Sequence, residues 1–547
     1  MSDTLELAVA PPAWALDAGA GPGGVLHLGQ LFAFGAGTSP DKVAVDDGRA
    51  RFTFAELEAM ATRLAAAFAA RGVAHGDRVA VISEKRAIMP AIAAAIWKLG
   101  AVYVPLDGEA PPARIASILG RLSPRLVVSL KATPAPDGFA VIGSEELQRI
   151  ASAPTVPHVP PLAAEADDHP AYIIFTSGST GEPKGVEIST GSLLAYFKAH
   201  QEYLRFTAAS RVFSLTPYHF DVSIEDTLLP LSLGAFVYQF NGIVAGPLIR
   251  RILQREAITH LIAVSTILTL ISQPAEEIST EKFPHLEMVM TGAEVCDPKV
   301  INLWKERLPA ARLINAYGPT ETTIVCTCHT IEHPEPDRVS AFPIGRPLEG
   351  VHALILDETG AVVADGGKGE LCIGGVQVMR GYFDQPAETA RTVFTRDGVR
   401  YYRTGDICSR QADGAIVFVG RLDDEVKIAG KRVHLGEVRQ KVMALSGVDR
   451  VAIGTLERQG RREIAIVIVS AEGGIVERAE ALLAETLPSY MRPTVYAHAW
   501  SVVLSRTGKT DEKKLLAQLC EIAAASRRSR FRINADGAIE EASGANA

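Results

Sequence analysis

A chain of 547 residues exceeds what one hydrophobic core usually organises, so we expect at least two domains. The 55 basic against 63 acidic side chains argue against nucleic acid as the main partner. The first basic residue is Lys42, so the positive start of a signal peptide is missing, and the six scattered cysteines suit a reduced protein of the cytoplasm.

Strand-like runs alternate with helical patterns along the first part of the chain. Residues 78–82, 102–105, 126–130 and 172–175 have the pattern of buried strands, and residues 89–99 have that of a buried helix. This alternation predicts an α/β fold. The uncharged stretches 228–249 and 257–275 contain Pro, Gly or polar residues, so we predict buried elements there and no membrane span.

The composition changes along the chain predict where the domains begin and end. Glycine-rich short strands at 370–374 and 415–419 indicate a β-rich subdomain, and the charged turn 420–424 indicates a boundary. Strands and helices after it predict a compact α+β domain of about a hundred residues. We therefore predict four parts: a flexible segment 1–27, a layered α/β domain 28–422 that includes the β-rich subdomain, a small α+β domain 423–525, and a flexible tail 526–547.

The most informative segment is the loop that follows the strand 172–175, which reads Thr-Ser-Gly-Ser-Thr-Gly-Glu-Pro-Lys from Thr176 to Lys184. Its amides and hydroxyls can surround phosphate oxygens, and Lys184 adds a positive charge. Pro183 before the lysine rules out a Walker A loop, and the spacing of a dinucleotide fingerprint is absent. We predict a phosphate-binding loop; the alternative is a surface loop rich in Gly and Ser.

This loop and five later motifs resemble, in order, those of the adenylate-forming superfamily of acyl-CoA synthetases, luciferases and peptide-synthetase adenylation domains. The later motifs are Asn-Ala-Tyr-Gly-Pro-Thr-Glu-Thr-Thr (315–323), Gly-Glu-Leu (369–371), Tyr-Arg-Thr-Gly-Asp (402–406), Gly-Arg-Leu-Asp (420–423) and Thr-Gly-Lys-Thr-Asp (507–511). The early segment 98–107, Lys-Leu-Gly-Ala-Val-Tyr-Val-Pro-Leu-Asp, fits the branch that activates amino acids. The resemblance implies an adenylation core over 28–422, a mobile C-terminal lid over 423–525, and ATP and Mg²⁺ as cofactors.

The resemblance also implies which residues bind the nucleotide. Tyr317 offers its ring to adenine, Thr320 donates to the α-phosphate, and Glu321 binds Mg²⁺ unless it is an ordinary surface carboxylate. Asp406 accepts the ribose hydroxyls and Arg421 assists, with a structural salt bridge as the alternative for each. The full set of predicted ATP-binding residues is Thr176, Ser177, Gly178, Ser179, Thr180, Gly181, Lys184, Asn315, Ala316, Tyr317, Gly318, Thr320, Asp406, Arg421 and Lys509.

Lys509 is the residue that we predict to be central to catalysis, together with Thr176 and Lys184. It follows a Thr-Gly turn and can bridge the substrate carboxylate and the phosphate; the alternative is a surface lysine. Loss of a preorganised donor of this kind costs roughly 10²–10³ in rate. Asp423 occupies the hinge position of the family, where rotation of the lid would withdraw Lys509 and bring a face near Gly430 to the site.

The segment from Tyr218 to Glu225 resembles the peptide-synthetase motif whose aspartate binds the substrate's α-ammonium. Asp221 would have this role, and its alternative is to cap the helix that follows. On an α-helix Glu225 lies on the same face, so the two carboxylates would suit a diamino acid; the alternative is that Glu225 favours the helix N-terminus or pairs with a protein cation. The full set of predicted substrate-binding residues is Asp221, Val222, Glu225, Thr266, Met290, Gly292, Ala316, Ile324, Val325 and Lys509.

The acceptor of the activated acyl group is expected to be a separate molecule. Only 38 residues (547 − 509) follow Lys509, too few for a carrier domain, so we expect a free-standing enzyme and a phosphopantetheinyl carrier protein in trans, with coenzyme A as second choice. Two other hypotheses remain: an acyl- or aryl-CoA ligase, which Asp221 argues against, and a non-catalytic carrier-binding homologue, which intact Lys184, Glu321, Asp406 and Lys509 argue against.

Overall fold

The computed structural model describes residues 28–131, 138–159, 167–177, 182–338, 340–422, 425–500, 512–526, 529–534 and 539–541. The chain divides into two compact units. Unit 1 comprises Met1–Gly108, Leu119–Phe175 and Gly185–Leu422, and unit 2 comprises Glu109–Ile118, Thr176–Lys184 and Asp423–Ala547. The predicted continuous core 28–422 therefore differs from unit 1 by two short segments that are grouped with the C-terminal part.

The strands, in chain order, are β1 (Val43–Asp46), β2 (Arg51–Thr53), β3 (Arg78–Ser83), β4 (Val102–Asp107), β5 (Leu126–Ser129), β6 (Val141–Ile142), β7 (Pro170–Thr176), β8 (Lys184–Ser189), β9 (Arg211–Ser214), β10 (Phe236–Gln239), β11 (His260–Val264), β12 (Met288–Gly292), β13 (Arg312–Tyr317), β14 (Thr327–Ile331), β15 (Arg346–Pro347), β16 (Val351–Leu356), β17 (Lys368–Gly375), β18 (Gly381–Tyr382), β19 (Val393–Arg396), β20 (Val399–Arg410), β21 (Ile416–Arg421), β22 (Glu425–Ile428), β23 (Lys431–His434), β24 (Arg450–Arg458), β25 (Arg461–Val469), β26 (Val495–Ala499), β27 (Arg530–Ile533) and β28 (Ile539–Glu541).

The α-helices are α1 (Ala33–Thr38), α2 (Phe54–Ala69), α3 (Met89–Lys98), α4 (Pro112–Leu122), α5 (Ser144–Ala151), α6 (Thr190–Leu204), α7 (Leu229–Ser232), α8 (Gly246–Arg255), α9 (Ser265–Ile271), α10 (Pro298–Arg307), α11 (Pro386–Thr392), α12 (Leu435–Met443), α13 (Ile475–Thr486) and α14 (Glu512–Ala525). A π-helical turn spans Ile224–Leu228, and a short 3₁₀ turn spans Thr320–Thr322. Among the described residues no helix is both long and apolar enough to cross a membrane.

Unit 1 contains two large, mostly parallel sheets and one antiparallel sheet. In the described residues the first has the order β15-β14-β13-β12-β11-β9-β10-β1-β2, with parallel pairing from β13 through to β1. The second has the order β18-β8-β7-β4-β3-β5-β6, and β16, β17, β19, β20 and β21 form the antiparallel sheet. The predicted α/β domain with a β-rich subdomain is confirmed.

The core of unit 1 lies where helices pack between sheets. One buried cluster combines β3 and β4 of the second sheet with β10 and β13 of the first, and helices α2, α3 and α6 contribute to it. Residues Met89–Trp97 of α3 are buried all round, as expected of a helix without a polar face. Thr53 and Glu56 form a reciprocal capping box that fixes the start of α2.

Unit 2 is an α+β unit built on the sheet β24-β25-β26-β27-β28. Helices α12 and α13 cover one face of this sheet and α14 contributes to the core on the other. The prediction of a flexible tail 526–547 is wrong for β27 and β28, which extend the sheet. Phe531 and Ile533 alternate with arginines and bury one face of β27, a strand pattern that the basic composition concealed.

Candidate active site

The carboxyl ends of the parallel strands β11, β12 and β13 meet at one edge of the nine-stranded sheet. Val264, Gly292 and Ala316 are neighbours across this edge in register. Thr266 is the second residue after β11, in the first turn of α9, and Tyr317 ends β13. In open α/β sheets this edge is where ligands bind, and the sequence prediction placed Thr266, Gly292, Ala316 and Tyr317 in the site.

Close approach of backbones explains two glycines at this edge. A Cβ on Gly292 would lie 2.6 Å from the carbonyl oxygen of Ala316. A Cβ on Gly318 would lie 2.3 Å from the carbonyl oxygen of Ile324. The chain after Gly318 therefore folds back on itself, and the amide of Cys326 donates to the carbonyl of Tyr317 at 2.9 Å. This return brings Ile324 and Val325, two predicted pocket residues, next to the end of β13.

Asp406 on β20 is held by two donors. Its Oδ2 accepts a hydrogen bond from the Tyr317 phenol at 2.5 Å, and its Oδ1 accepts from Nη1 of Arg421 at 2.5 Å. Arg421 on β21 lies directly opposite Asp406 in register. Burial, and then the charge of Asp406, raise the pKa of the Tyr317 phenol well above its usual value, so the phenol stays protonated and donates. The salt bridge that the sequence analysis kept as an alternative is present, and it orients the carboxylate.

Glu321, the predicted Mg²⁺ ligand, is buried, with 1% of its surface exposed. The surface-carboxylate alternative is therefore wrong. The Tyr382 hydroxyl donates to Glu321 Oε1 at 2.8 Å, and the Glu321 carbonyl accepts from the amide of Met379 at 2.8 Å. The described residues contain no cluster of three or more His, Cys, Asp and Glu for a metal. A single oriented carboxylate fits Mg²⁺, which is commonly held by one or two carboxylates together with substrate phosphates.

The predicted phosphate loop, Thr176–Lys184, is grouped with unit 2. Lys184 is buried at the start of β8. The hydroxyl of Ser177 accepts a hydrogen bond from the amide of His434 at 3.1 Å and donates to the carbonyl of Arg432 at 3.1 Å. The predicted residues Gly178, Ser179, Thr180 and Gly181 of the loop, the hinge residue Asp423 and the catalytic residue Lys509 lie outside the described residues.

Asp221, the predicted ammonium ligand, is buried at 8% exposure in the turn that follows β9. Its Oδ1 accepts from the amide of the next residue, Val222, at 2.9 Å. That contact differs from an N-cap, which reaches the second or third amide of a helix. The negative charge of Asp221 contributes, after burial, to raising the pKa of the Tyr172 phenol. The Asp221 carboxylate is therefore buried and close enough to Tyr172 to act on its phenol.

Glu225 is completely buried in the π-helical turn Ile224–Leu228. Its Oε1 lies 3.0 Å from Nδ1 of His200, and neither carboxylate oxygen accepts a well-formed hydrogen bond from the described residues. The Tyr196 hydroxyl lies 2.7 Å from the same His200 nitrogen, so two groups share one ring atom.

The α-helix assumed from the sequence around Glu225 is wrong, because this segment forms a π-helical turn. Pro230 has no N–H to close an α-turn onto Asp226, and the amide of Leu229 instead reaches Ile224.

Sequence reasoning missed several residues that support the predicted pocket. The hydroxyl of Ser265 donates to Glu294 Oε2 at 2.9 Å, and the hydroxyl of Thr266 donates to the same oxygen at 2.8 Å. Lys85 donates to Ser214 Oγ at 2.7 Å, and burial lowers its pKa to about 8. No local pattern marks these contacts, since each joins segments far apart in the chain. The one available signal was the charge of Glu294 beside the predicted residue Gly292.

Comparisons with known proteins agree with this geometry. The AMP-binding enzyme family matches residues 32–383. A linear gramicidin synthase of Brevibacillus parabrevis is 33% identical over 500 residues, covering 89% of this chain and 10% of that protein. Tyrocidine synthase 1 of the same species is 30% identical over 500 residues, covering 89% of this chain and 44% of that protein. The chain therefore spans less than half the length of these curated relatives.

The fold has solved counterparts as well. A nonribosomal peptide synthetase protein containing adenylation and PCP domains, bound to a vinylsulfonamide inhibitor, superposes with a TM-score of 0.79 at 24% identity, covering 90% of this chain and 84% of that one. Because the family match covers more than half of the chain, the chain belongs to the AMP-binding enzyme family, within the adenylate-forming superfamily.

Proposed function

We propose that this protein activates an amino acid with ATP and transfers the aminoacyl group to the phosphopantetheine thiol of a separate carrier protein. In the first step a carboxylate oxygen of the amino acid attacks the α-phosphorus of ATP. The bond from that phosphorus to the bridging oxygen breaks, and pyrophosphate leaves. Mg²⁺, which Glu321 would hold, would screen the charge of the phosphates. In the second step the thiol sulfur attacks the acyl carbon, AMP leaves, and the thiol proton passes to solvent.

The observation that carries the amino-acid assignment is the buried carboxylate of Asp221 in the turn that follows β9. A buried charge of this kind favours a cationic partner, and a substrate ammonium supplies one. A fatty or aryl acid has no ammonium to pair with Asp221, so it would gain no binding energy from this carboxylate. Asp221 therefore supports amino acids over the substrates of an acyl- or aryl-CoA ligase.

The environment of Glu225 supports a diamino acid as the substrate class. The carboxylate is fully buried, and the nearest cationic candidate among the described residues is His200, whose Nδ1 also lies within hydrogen-bond distance of Tyr196. A histidine nitrogen that accepts from Tyr196 cannot donate to Glu225 at the same time. A second ammonium on the substrate would give the buried Glu225 carboxylate a cationic partner.

ATP–pyrophosphate exchange with a panel of acids tests both parts of this proposal. The panel contains neutral amino acids, ornithine, lysine, a shorter diamino acid, an aryl acid and a fatty acid. We expect a diamino acid to give the highest kcat/KM, and Glu225→Gln to lower that value at least tenfold while changing neutral amino acids less than threefold. Glu202→Gln, at an exposed position of α6, is the matched control. A preference for neutral amino acids that Glu225→Gln leaves unchanged would remove the diamino-acid proposal, and a preference for aryl or fatty acids would remove the amino-acid proposal.

Lys509 completes the proposed mechanism as the cation between the two anionic reactants. This role comes from the family motif Thr507-Gly508-Lys509. We expect Lys509→Ala to slow aminoacyl-AMP formation roughly 10²–10³-fold. Transfer from preformed aminoacyl-AMP to the carrier should slow far less. Equal losses in the two steps, measured in a single-turnover assay, would contradict the role.

The acceptor is tested by offering a holo carrier protein and coenzyme A separately. Support for a carrier comes from the similarity to a protein with adenylation and PCP domains. Radiolabelled amino acid should appear on the holo carrier and not on the apo carrier, which has no thiol arm. Faster transfer to coenzyme A than to any carrier protein would overturn the proposal that a carrier protein is the acceptor.

A further inference from the structure

Gln377 is a completely buried amide that neither the sequence motifs nor the proposed chemistry explains. It lies in the turn after β17, within unit 1. Its Nε2 lies 2.9 Å from the carbonyl oxygen of Val325 and 3.2 Å from that of Thr322, with the Thr323 carbonyl slightly farther at 3.4 Å. The Thr323 hydroxyl returns a hydrogen bond to the Gln377 carbonyl at 2.7 Å.

The segment held by Gln377 has an unfavourable backbone conformation. Thr323 and Ile324 have φ values of 59° and 70°, in the left-handed region. Both residues are β-branched, and such residues rarely adopt this conformation unless the surroundings hold them there. The fold-back brings the Thr322 and Val325 carbonyls within reach of one side-chain amide, and a buried carbonyl needs a donor away from water. The Thr323 carbonyl accepts from the amide of Val325 at 2.9 Å. The two N–H groups of the Gln377 amide therefore serve carbonyls on both sides of the turn.

The same short segment carries residues of two parts of the site. Glu321, the candidate Mg²⁺ ligand, lies before the two residues with left-handed backbone conformation. Ile324 and Val325 are candidate wall residues of the substrate pocket. The amide of Gln377 therefore bonds to the turn between the metal ligand and the pocket wall. A shift of this turn would move both at once.

We propose that Gln377 is a positioning residue that holds the segment Thr320–Val325 so that the Mg²⁺ ligand and the acid-binding wall keep a fixed separation. This inference rests on the proposed adenylation function. It differs from a purely stabilising role, because loosening the segment should weaken Mg²⁺ use and substrate binding in a protein that is still folded. The side chain acts through the segment and does not touch the reactants.

The test compares Gln377→Met with a matched control. Methionine keeps the volume and removes both donors. Asn302→Leu does the same to another buried amide, which bonds to both backbone groups of Glu335 at 2.7 and 2.8 Å, away from the proposed site. Thr323→Val removes only the returning hydrogen bond and serves as a milder second variant if Gln377→Met does not fold.

Two measurements are made below the thermal midpoints of all variants. Pyrophosphate exchange gives the half-saturating Mg²⁺ concentration and the KM of the acid. The thermal shift induced by ATP, titrated with Mg²⁺, needs no acid and therefore remains informative if the proposed substrate class is wrong. We expect Gln377→Met to raise the half-saturating Mg²⁺ concentration in both assays and the KM of the acid by about tenfold, and Thr323→Val to raise them by two- to fivefold.

Asn302→Leu should lower the thermal midpoint and leave these constants within twofold of the wild type. The proposal is overturned if folded Gln377→Met, or folded Thr323→Val where Gln377→Met does not fold, keeps the wild-type Mg²⁺ dependence in the ATP-induced thermal shift. It is also overturned if Asn302→Leu changes the constants as much. Absence of exchange by the wild type with every acid, combined with an intact Mg²⁺-dependent shift by ATP, would instead count against the proposed function alone.

Discussion

The phenol oxygen of Tyr317, at the end of one strand, lies 2.5 Å from Oδ2 of Asp406, which belongs to a different sheet. Arg421 holds the other oxygen of the same carboxylate at 2.5 Å. Under the proposed function the ring of Tyr317 would face adenine and Asp406 would accept the ribose hydroxyls. The contact therefore prealigns the two residues that would bind opposite ends of the nucleoside.

Asp406→Asn should raise the KM for ATP roughly 10- to 100-fold, since a hydrogen bond to a charged group is worth about 1.5–3 kcal/mol. Tyr317→Phe keeps the ring and should raise this KM less than about fivefold. Pyrophosphate exchange at varied ATP concentrations measures both values, with the thermal midpoint as the check on folding. A folded Asp406→Asn variant with wild-type KM for ATP would show that the carboxylate has only a structural role.

Glu321→Gln should raise the Mg²⁺ concentration needed for half-maximal exchange at least tenfold, because a neutral amide is a weaker ligand for Mg²⁺ than a carboxylate. Tyr382→Phe removes the hydrogen bond that orients Glu321 Oε1 and should shift the same value in the same direction by about fivefold, as for a bond worth about 1 kcal/mol. The measurement is a Mg²⁺ titration at saturating ATP. If the tyrosine variant shifts the titration and the glutamine variant does not, Glu321 is not the metal ligand.

The sequence predicts the parts of this protein that have a local signal. Periodicity indicated β3, β4, β5, β17, β21 and the buried helix α3, and their observed bounds agree within a few residues. The predicted site residues Gly292, Ala316 and Tyr317 lie together at one edge of the nine-stranded sheet, because parallel strands bring their carboxyl ends together.

Long-range partners could not be predicted in the same way. The pairing of His200 with Glu225 joins a helix to a π-helical turn, and Gln377 contacts carbonyls some fifty positions earlier in the chain. Neither contact changes a local pattern of polar and apolar residues. The strand β27 was missed for a different reason. Arginines dominate the composition around it, and its alternation of arginine with apolar residues is only four residues long, which is too short to indicate a strand.

Asp221→Ala should lower kcat/KM for the preferred amino acid about 100- to 1,000-fold, because the substrate ammonium loses its buried counter-charge. The KM for ATP should stay within about threefold, since the nucleotide-binding residues are untouched. Exchange assays that vary one substrate at a time separate the two effects. An equal loss for the amino acid and for ATP would indicate that Asp221 maintains the fold of the turn after β9.

His260 gives a prediction on pH and stability. The ring is completely buried on β11, where Nε2 lies 3.0 Å from the carbonyl oxygen of Leu204, and burial lowers its pKa from 6.5 to about 4. Between these values the unfolded chain binds a proton that the folded chain does not. The contribution of the neutral His260 ring to the free energy of unfolding is therefore fully present above pH 6.5, and it falls by about 3 kcal/mol as the pH drops to 4.

The test of this prediction is His260→Gln, which keeps a donor and an acceptor and does not titrate. The wild type should exceed this variant in thermal midpoint at pH 7.5, and the difference should shrink steadily between pH 6.5 and 4.5. A difference that is constant over this range would show that His260 is not the residue whose protonation destabilises the fold.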